Sequence, residues 1–237
     1  MCTSSLTKEN EAFENHLIDH LNSENIYPQT IELISPKAVQ QLRMASEWNS
    51  ILSLDSREAR VRKTLELWGR HAPKFDILIG ILKACLISVD TILYRKELYV
   101  VYSLKVLGET AYYVGKPPKI SYENTVINAL PKDIISFYQK VHDGFVSFPF
   151  ESMGFATADD LYCLGDDLLQ SEFLAEYSVA DTYMIFSNGC GDGVVYDLSK
   201  IPAKGFVYFH DDLNECEFDG DMIDIICTWI RIGLIGE

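Results

Sequence analysis

Residues 182–198 read TYMIFSNGCGDGVVYDL and contain the clearest structural signal of the chain. Two runs rich in aromatic and β-branched residues, 182–187 and 194–198, flank the glycine-rich segment 188–193. This arrangement predicts a β-hairpin, because such residues favour strands and glycine adopts the backbone angles of tight turns. Residues 205–210, GFVYFH, predict a third strand next to the hairpin.

Helices are predicted on both sides of this hairpin. Upstream, Leu130-Pro131 opens a segment whose apolar residues recur at helical spacing, and residues 145–150 then predict a short strand. Downstream, one face of a predicted final helix is apolar and consists of Met222, Ile226, Trp229 and Ile230. The second half of the chain therefore mixes helices with an antiparallel sheet.

The first half of the chain predicts mainly helices. Apolar spacing indicates helices at residues 6–21, 36–48 and 57–71. Residues 97–107 and 111–114 are rich in Val, Tyr and Leu, and they predict a strand pair. A Pro-rich break at residues 115–122 suggests a joint. We therefore expect a mostly helical N-terminal part, residues 1–117, and an α+β part, residues 118–237.

The net charge of −15 is confined to the second half. Residues 1–129 contain 15 basic and 15 acidic side chains, whereas residues 130–237 contain 5 and 20. Direct binding to nucleic acid or to an anionic membrane is not expected, since both require clustered Lys and Arg. The longest apolar stretch, 77–89, is too short to cross a bilayer, and no secretory signal is recognised, so we expect a cytoplasmic protein.

Several motifs raise the question of catalysis or ligand binding, and each has a simpler explanation. The glycine-rich segment 188–193 is followed by a strand and by no Lys, which favours a hairpin turn over a phosphate loop. Cys190 would serve as a nucleophile only beside a base such as His142 or His210. A structural cysteine is the simpler reading.

Metal sites are equally weakly supported by the sequence. The acidic run 211–221 lacks the spacing of an EF-hand, and a solvated loop explains it more simply. His16 and His20 have a spacing compatible with zinc, but two surface histidines are the simpler interpretation. We therefore expect no catalytic residues, no cofactor and no metal.

Four features of residues 122–237 carry a family resemblance. They are the Leu130-Pro131 opening of a helix through 134–138, its end at Asp143-Gly144, the stretch 186–198, and the last helix with Trp229-Ile230. In order and spacing these features resemble the SUKH superfamily, which contains bacterial toxin-immunity proteins and fungal cell-wall regulators. The resemblance implies an α+β domain with a curved, mainly antiparallel sheet flanked by helices, so residues 1–117 form an N-terminal extension.

The same resemblance implies a non-catalytic protein that binds and inhibits a cognate bacterial toxin in the cytoplasm. With the acidic second half, it predicts a toxin with a basic surface, such as a nuclease. The candidate contacts are Asp192, Tyr208, Asp211, Asp212, Glu215, Glu217 and Phe218. For each of these, surface solvation or core packing is the simpler explanation, and Asp192 and Asp197 also suit a role in stabilising their turn.

Two alternatives belong to other functional classes. The first is a non-catalytic regulatory scaffold that binds a host protein with the same fold. The second is a nucleotide-binding protein or enzyme that uses the turn at 189–193.

Overall fold

The computed structural model describes residues 3–24, 31–119, 125–149, 151–166, 177–212, 216–217 and 220–236. Within these ranges, ten strands form one open antiparallel sheet with helices packed against it, as the α+β prediction requires. The strands are β1 (Glu32–Ile34), β2 (Leu86–Tyr94), β3 (Glu97–Val106), β4 (Glu109–Lys116), β5 (Asp143–Phe148), β6 (Met153–Phe155), β7 (Tyr162–Cys163), β8 (Thr182–Asn188), β9 (Gly193–Asp197) and β10 (Lys204–Tyr208).

The strands follow one another across the sheet nearly in chain order. The spatial order is β1-β2-β3-β4-β5-β6-β8-β9-β10, and β7 pairs with β8 as well. The hairpin predicted at residues 182–198 is formed by β8 and β9, and β10 is the predicted third strand. The strand pair predicted in the first half is β3 and β4, which pair antiparallel through a turn at Leu107-Gly108.

Eight α-helices lie within the described ranges. They are α1 (Thr3–Glu24), α2 (Pro36–Val39), α3 (Ser46–Leu52), α4 (Arg57–His71), α5 (Asp76–Cys85), α6 (Thr125–Ala129), α7 (Lys132–Ser136) and α8 (Met222–Ile235). A π-helical turn, Phe137–Val141, continues α7 up to His142. The helix α4 has the predicted bounds, because Ser56 accepts a hydrogen bond from the Ala59 amide and caps its first turn.

The single helix predicted at residues 36–48 is wrong, because the segment forms two helices. Ser35 caps α2 as expected, since its Oγ accepts from the Ala38 amide at 3.4 Å. However, α2 ends at Val39. The side-chain amide of Asn49, in α3, donates to the carbonyls of Val39 and Leu42, both at 3.1 Å. These bonds satisfy carbonyls that a continuous helix would otherwise have paired internally.

The two faces of the sheet contact different elements. Successive residues of one strand point to opposite faces, so Val100 belongs to the main core and Val101 to a second cluster. The main core contains residues of α3, α4, α5, α7 and α8. On the opposite face, α1 covers one end with Leu17 and Leu21, and Leu164, Tyr177 and Val179 pack at the other end.

The predicted joint at residues 115–122 does not separate two packing units. Strand β4, before it, pairs with β5, after it, with Val114 opposite Val146. The main core likewise joins Trp48 and Trp68 of the first half to Phe137 and residues of α8. Residues 1–117 are therefore no detached helical extension, because they contribute β1 to β4 and much of the core.

A buried chain of hydrogen bonds crosses this junction. Trp68 Nε1 of α4 donates to the hydroxyl of Tyr102 in β3 at 2.9 Å, and that hydroxyl lies 2.7 Å from His142 Nε2. His142 Nδ1 lies 3.1 Å from the carbonyl oxygen of Lys116, which can only accept. The proton therefore resides on Nδ1, and Tyr102 donates to Nε2. Because His142 is fully buried, desolvation lowers its pKa to about 3, so the ring is neutral.

Replacing His142 with Gln is expected to remove part of the acid sensitivity of the fold. The unfolded chain binds a proton at this ring below about pH 6.5, whereas the folded chain binds it only near pH 3. The stability contributed by the neutral ring is thus complete above about pH 6.5 and is lost as the pH falls. Between pH 6 and 4, the free energy of unfolding of wild type should fall by about 1.4 kcal/mol per pH unit more than that of His142→Gln.

Denaturant unfolding at several pH values measures this difference. The matched control is His16→Gln, which makes the same substitution at an exposed position on α1, outside the buried chain of hydrogen bonds. Parallel stability curves for wild type and His142→Gln would show that the buried ring does not contribute as described.

Candidate partner-binding surface

The structure brings most of the predicted contact residues to one corner of the sheet, where β9 begins and β10 ends. We call the set Asp192, His210, Asp211, Asp212 and Glu217 the acidic corner. The backbones of Glu217 and Val207 exchange two hydrogen bonds, at 2.8 and 3.1 Å, so Glu217 lies along the outer edge of β10. Asp211, Asp212 and Glu217 are exposed. Two further candidates, Glu215 and Phe218, lie outside the described residues.

Asp192 holds the hairpin turn to the segment that follows β10. Its Oδ1 accepts from the backbone amide of His210 at 3.1 Å and lies 2.8 Å from His210 Nδ1. Its Oδ2 accepts from Asn188 Nδ2 at 3.0 Å. On the other side of the ring, His210 Nε2 lies 2.9 Å from Asp211 Oδ1. The sequence predicts two roles for Asp192, contact with a partner and stabilisation of its turn. The hydrogen bonds of Asp192 show the second role.

The pKa values of this cluster follow from the same contacts. Partial burial raises the pKa of Asp192, but the hydrogen bonds from His210 and Asn188 outweigh it, and the net shift is downward. Hydrogen bonding to Asp192 raises the pKa of His210 and outweighs desolvation, which lowers it, and the charge of Asp211 raises it further. A protonated His210 therefore pairs with both carboxylates and fixes the exposed Asp211 in place.

Tyr208 lies in the core and is not exposed at the corner. It is 6% exposed and packs in a cluster with Phe206 and Cys216. Asp197 is completely buried, where it accepts hydrogen bonds from the amides of Ser199 at 2.9 Å and Ser178 at 3.2 Å. The alternation of residues along a strand could have predicted that Tyr208 points into the core, because it lies two residues after Phe206 and therefore on the same face of β10.

The glycine-rich turn does not have the geometry of a phosphate loop. It connects β8 to β9 with no helix after it. The described residues around the adjacent pocket, of about 550 Å³, include Asn188, Gly189 and Cys190 but no Lys or Arg. A bound phosphate would therefore meet neither a helix N-terminus nor a cation.

Cys190 is exposed, but neither histidine considered as its base has a free ring nitrogen. His210 has both nitrogens within 2.9 Å of carboxylates. His142 is buried with both nitrogens in hydrogen bonds. Among the described residues, no three His, Cys, Asp or Glu side chains converge as metal ligands would, and the rings of His16 and His20 are 6.4 Å apart.

A second acidic surface was missed by the sequence reasoning. It is a groove of about 580 Å³, lined by five carboxylates and two cations, which we call the acidic groove. The carboxylates belong to Glu97, Asp143, Glu151, Asp159 and Asp160. They come from both halves of the chain and form no run in the sequence, so no pattern along the sequence predicts the groove.

Replacing Asp192 with Asn should lower the pKa of His210, because the main hydrogen bond that favours the imidazolium loses its charge. Asp211→Asn is the matched control, since Asp211 makes a smaller contribution to the same shift. An NMR titration of the His210 ring protons measures both. A larger shift of the His210 pKa in Asp211→Asn, or no shift in Asp192→Asn, would contradict the described contacts between Asp192 and His210.

Comparisons with known proteins give no match: neither models of protein families, nor curated proteins, nor solved structures match this chain. Among the described helices, none is long and apolar enough to span a bilayer. The resemblance of residues 122–237 to the SUKH superfamily stays a prediction. The functional proposal below therefore rests on that resemblance and on the geometry of the chain itself.

Proposed function

We propose that this protein binds and inhibits a bacterial protein toxin that acts in the cytoplasm, and that the acidic corner is its contact surface. The observation that carries the proposal is the presentation of carboxylates on a fixed backbone. Asp211 has a side chain that is 90% exposed, yet His210 and Asp192 hold its segment against the hairpin turn. Exposed charges on a preorganised segment lose little entropy on binding.

The physical role of these charges is to steer a basic partner. A toxin that cleaves nucleic acid needs a cationic cleft, and an acidic corner is complementary to it. Such complementarity mainly raises the association rate, whereas apolar anchors supply most of the affinity. Tyr208 is buried and does not serve as an anchor. Phe218 remains a candidate anchor outside the described residues.

One feature of the chain favours this proposal over a scaffold for a host protein, since the SUKH superfamily contains both toxin-immunity proteins and cell-wall regulators. The excess of acidic side chains is confined to residues 130–237, where the acidic corner lies. A scaffold would need neither charge of one sign nor its concentration on one part of the surface.

Reversing the charges of the acidic corner should slow association with the toxin. The variant is Asp211→Lys, Asp212→Lys and Glu217→Lys, and we expect an association rate at least about tenfold lower at low salt. The matched control makes the same charge change elsewhere, with Glu32→Lys, Asp55→Lys and Glu109→Lys, three exposed positions of the first half. Equal slowing by both variants would mean that net charge acts without a specific surface.

The experiment that tests the function itself is protection of cells. The protein is produced together with the product of the neighbouring gene, and growth is compared with and without it. Protection, together with co-purification of the two proteins, supports the proposal. A neighbouring product that kills cells despite this protein, or that has no toxicity, contradicts the immunity function and favours a scaffold.

A further inference from the structure

The described helices leave the part of the sheet with the acidic groove uncovered. Its floor includes Tyr99, Val114 and Val146, which belong to the face opposite the main core. Among the described residues, neither α1 nor the segment 164–181 contributes to the lining. The groove volume of about 580 Å³ falls within the range of protein ligand sites. The uncovered face is therefore concave and has the size of a binding site.

Two of its carboxylates are paired with the cations of the lining. Arg95 Nη1 lies 3.2 Å from Glu151 Oε2, and Lys116 Nζ lies 2.6 Å from Glu97 Oε2. The other oxygen of Glu151, Oε1, is buried and has no hydrogen-bond partner among the described residues. Such an oxygen without a donor is costly, and because solvent does not reach it here, a bound group would donate to it only after the Glu151 side chain turns toward the groove.

The other three carboxylates share one cation. Lys119 Nζ lies 2.6 Å from Asp159 Oδ2 and 3.7 Å from Asp143 Oδ2, the second distance being too long for a hydrogen bond. The Asp143 side chain is 1% exposed, and its Oδ1 accepts from the Ala158 amide at 2.8 Å. Asp160 accepts from the Thr157 hydroxyl at 2.5 Å, which leaves its charge in place. The groove thus keeps a surplus of negative charge.

We propose that the acidic groove receives a basic side chain, Arg or Lys, from a protein partner. The surplus carboxylates and the apolar floor, which Tyr99 shares with Val114 and Val146, fit a guanidinium or ammonium on an aliphatic stem. If the proposed function holds, the partner is the toxin and the groove is a second contact besides the acidic corner. The groove itself depends only on the charges described here.

A basic peptide tests the groove without knowledge of the partner. The probe is an octapeptide of alternating Gly and Arg with blocked ends, with a Gly-Lys and an uncharged Gly-Gln peptide beside it. Binding is followed by NMR on the full chain. We expect saturable one-to-one binding of the Arg or Lys peptide, with shifts at residues of the groove such as Tyr99, and none with Gly-Gln.

The variant Glu151→Gln with Asp160→Asn should weaken this binding at least about tenfold, because charged hydrogen bonds are lost. The matched control, Glu32→Gln with Asp224→Asn, makes the same charge change at exposed positions and should bind as wild type. Asp160→Asn alone, also exposed, serves if the double variant is unstable. Equal weakening by the control, or no saturation, would overturn the proposal.

The free polyamine spermidine gives one more outcome. If it binds more tightly than the peptides and depends on the same two residues, the groove serves small cations and the assignment to a protein partner is wrong. Peptide binding reports on the groove alone, whereas cell protection reports on the proposed function. Each can fail while the other holds, so the two failures are distinguishable.

Discussion

The buried hydrogen-bond chain from Trp68 through Tyr102 and His142 to the Lys116 carbonyl is the constraint on which the rest of the structure depends. It links a helix and a strand of the first half to the residue that follows the π-helical turn of the second. A fully buried polar chain is tolerated only if every member is satisfied, and here each ring nitrogen and hydroxyl has its partner. Because it fixes His142, it fixes where β5 begins.

Close packing around His142 leaves no room for a side chain at position 115. A Cβ on Gly115 would lie 2.6 Å from His142 Nδ1, so only glycine leaves room for the ring beside β4. Trp48 adds a second link, because its Nε1 donates to the Val141 carbonyl at 2.6 Å. Both indole donors of the first half therefore hold the beginning of the second half in place.

This junction gives the neutral first half a role in an otherwise acidic protein. Arg95, Lys116 and Lys119 all precede residue 120, and they pair with Glu151, Glu97 and Asp159 around the acidic groove. Of these cations, Arg95 and Lys119 pair with carboxylates of the second half, so the first half positions Glu151 and Asp159 and neutralises part of the acidic charge. Part of the surplus that remains lies in the groove and at the acidic corner.

Local signals in the sequence predict those elements whose ends are marked by turn or capping residues. The β8–β9 hairpin has its glycine-rich turn, and α4 has its cap at Ser56. The boundary between α5 and β2 is different, because it falls inside the mainly apolar stretch 77–89, and no Gly, Pro or capping residue stands next to Leu86, where the change occurs. Nor does any local pattern reveal a groove assembled from distant segments.

The two halves form one folding unit, and native-state hydrogen exchange at low denaturant tests this most directly. Val101 in β3 and Val194 in β9 are both fully buried in the same sheet but belong to opposite halves. If the halves unfold together, both amides exchange through one global opening, and the free energy of that opening and its denaturant dependence are equal for the two amides. A separate, lower-energy opening for either half would contradict it.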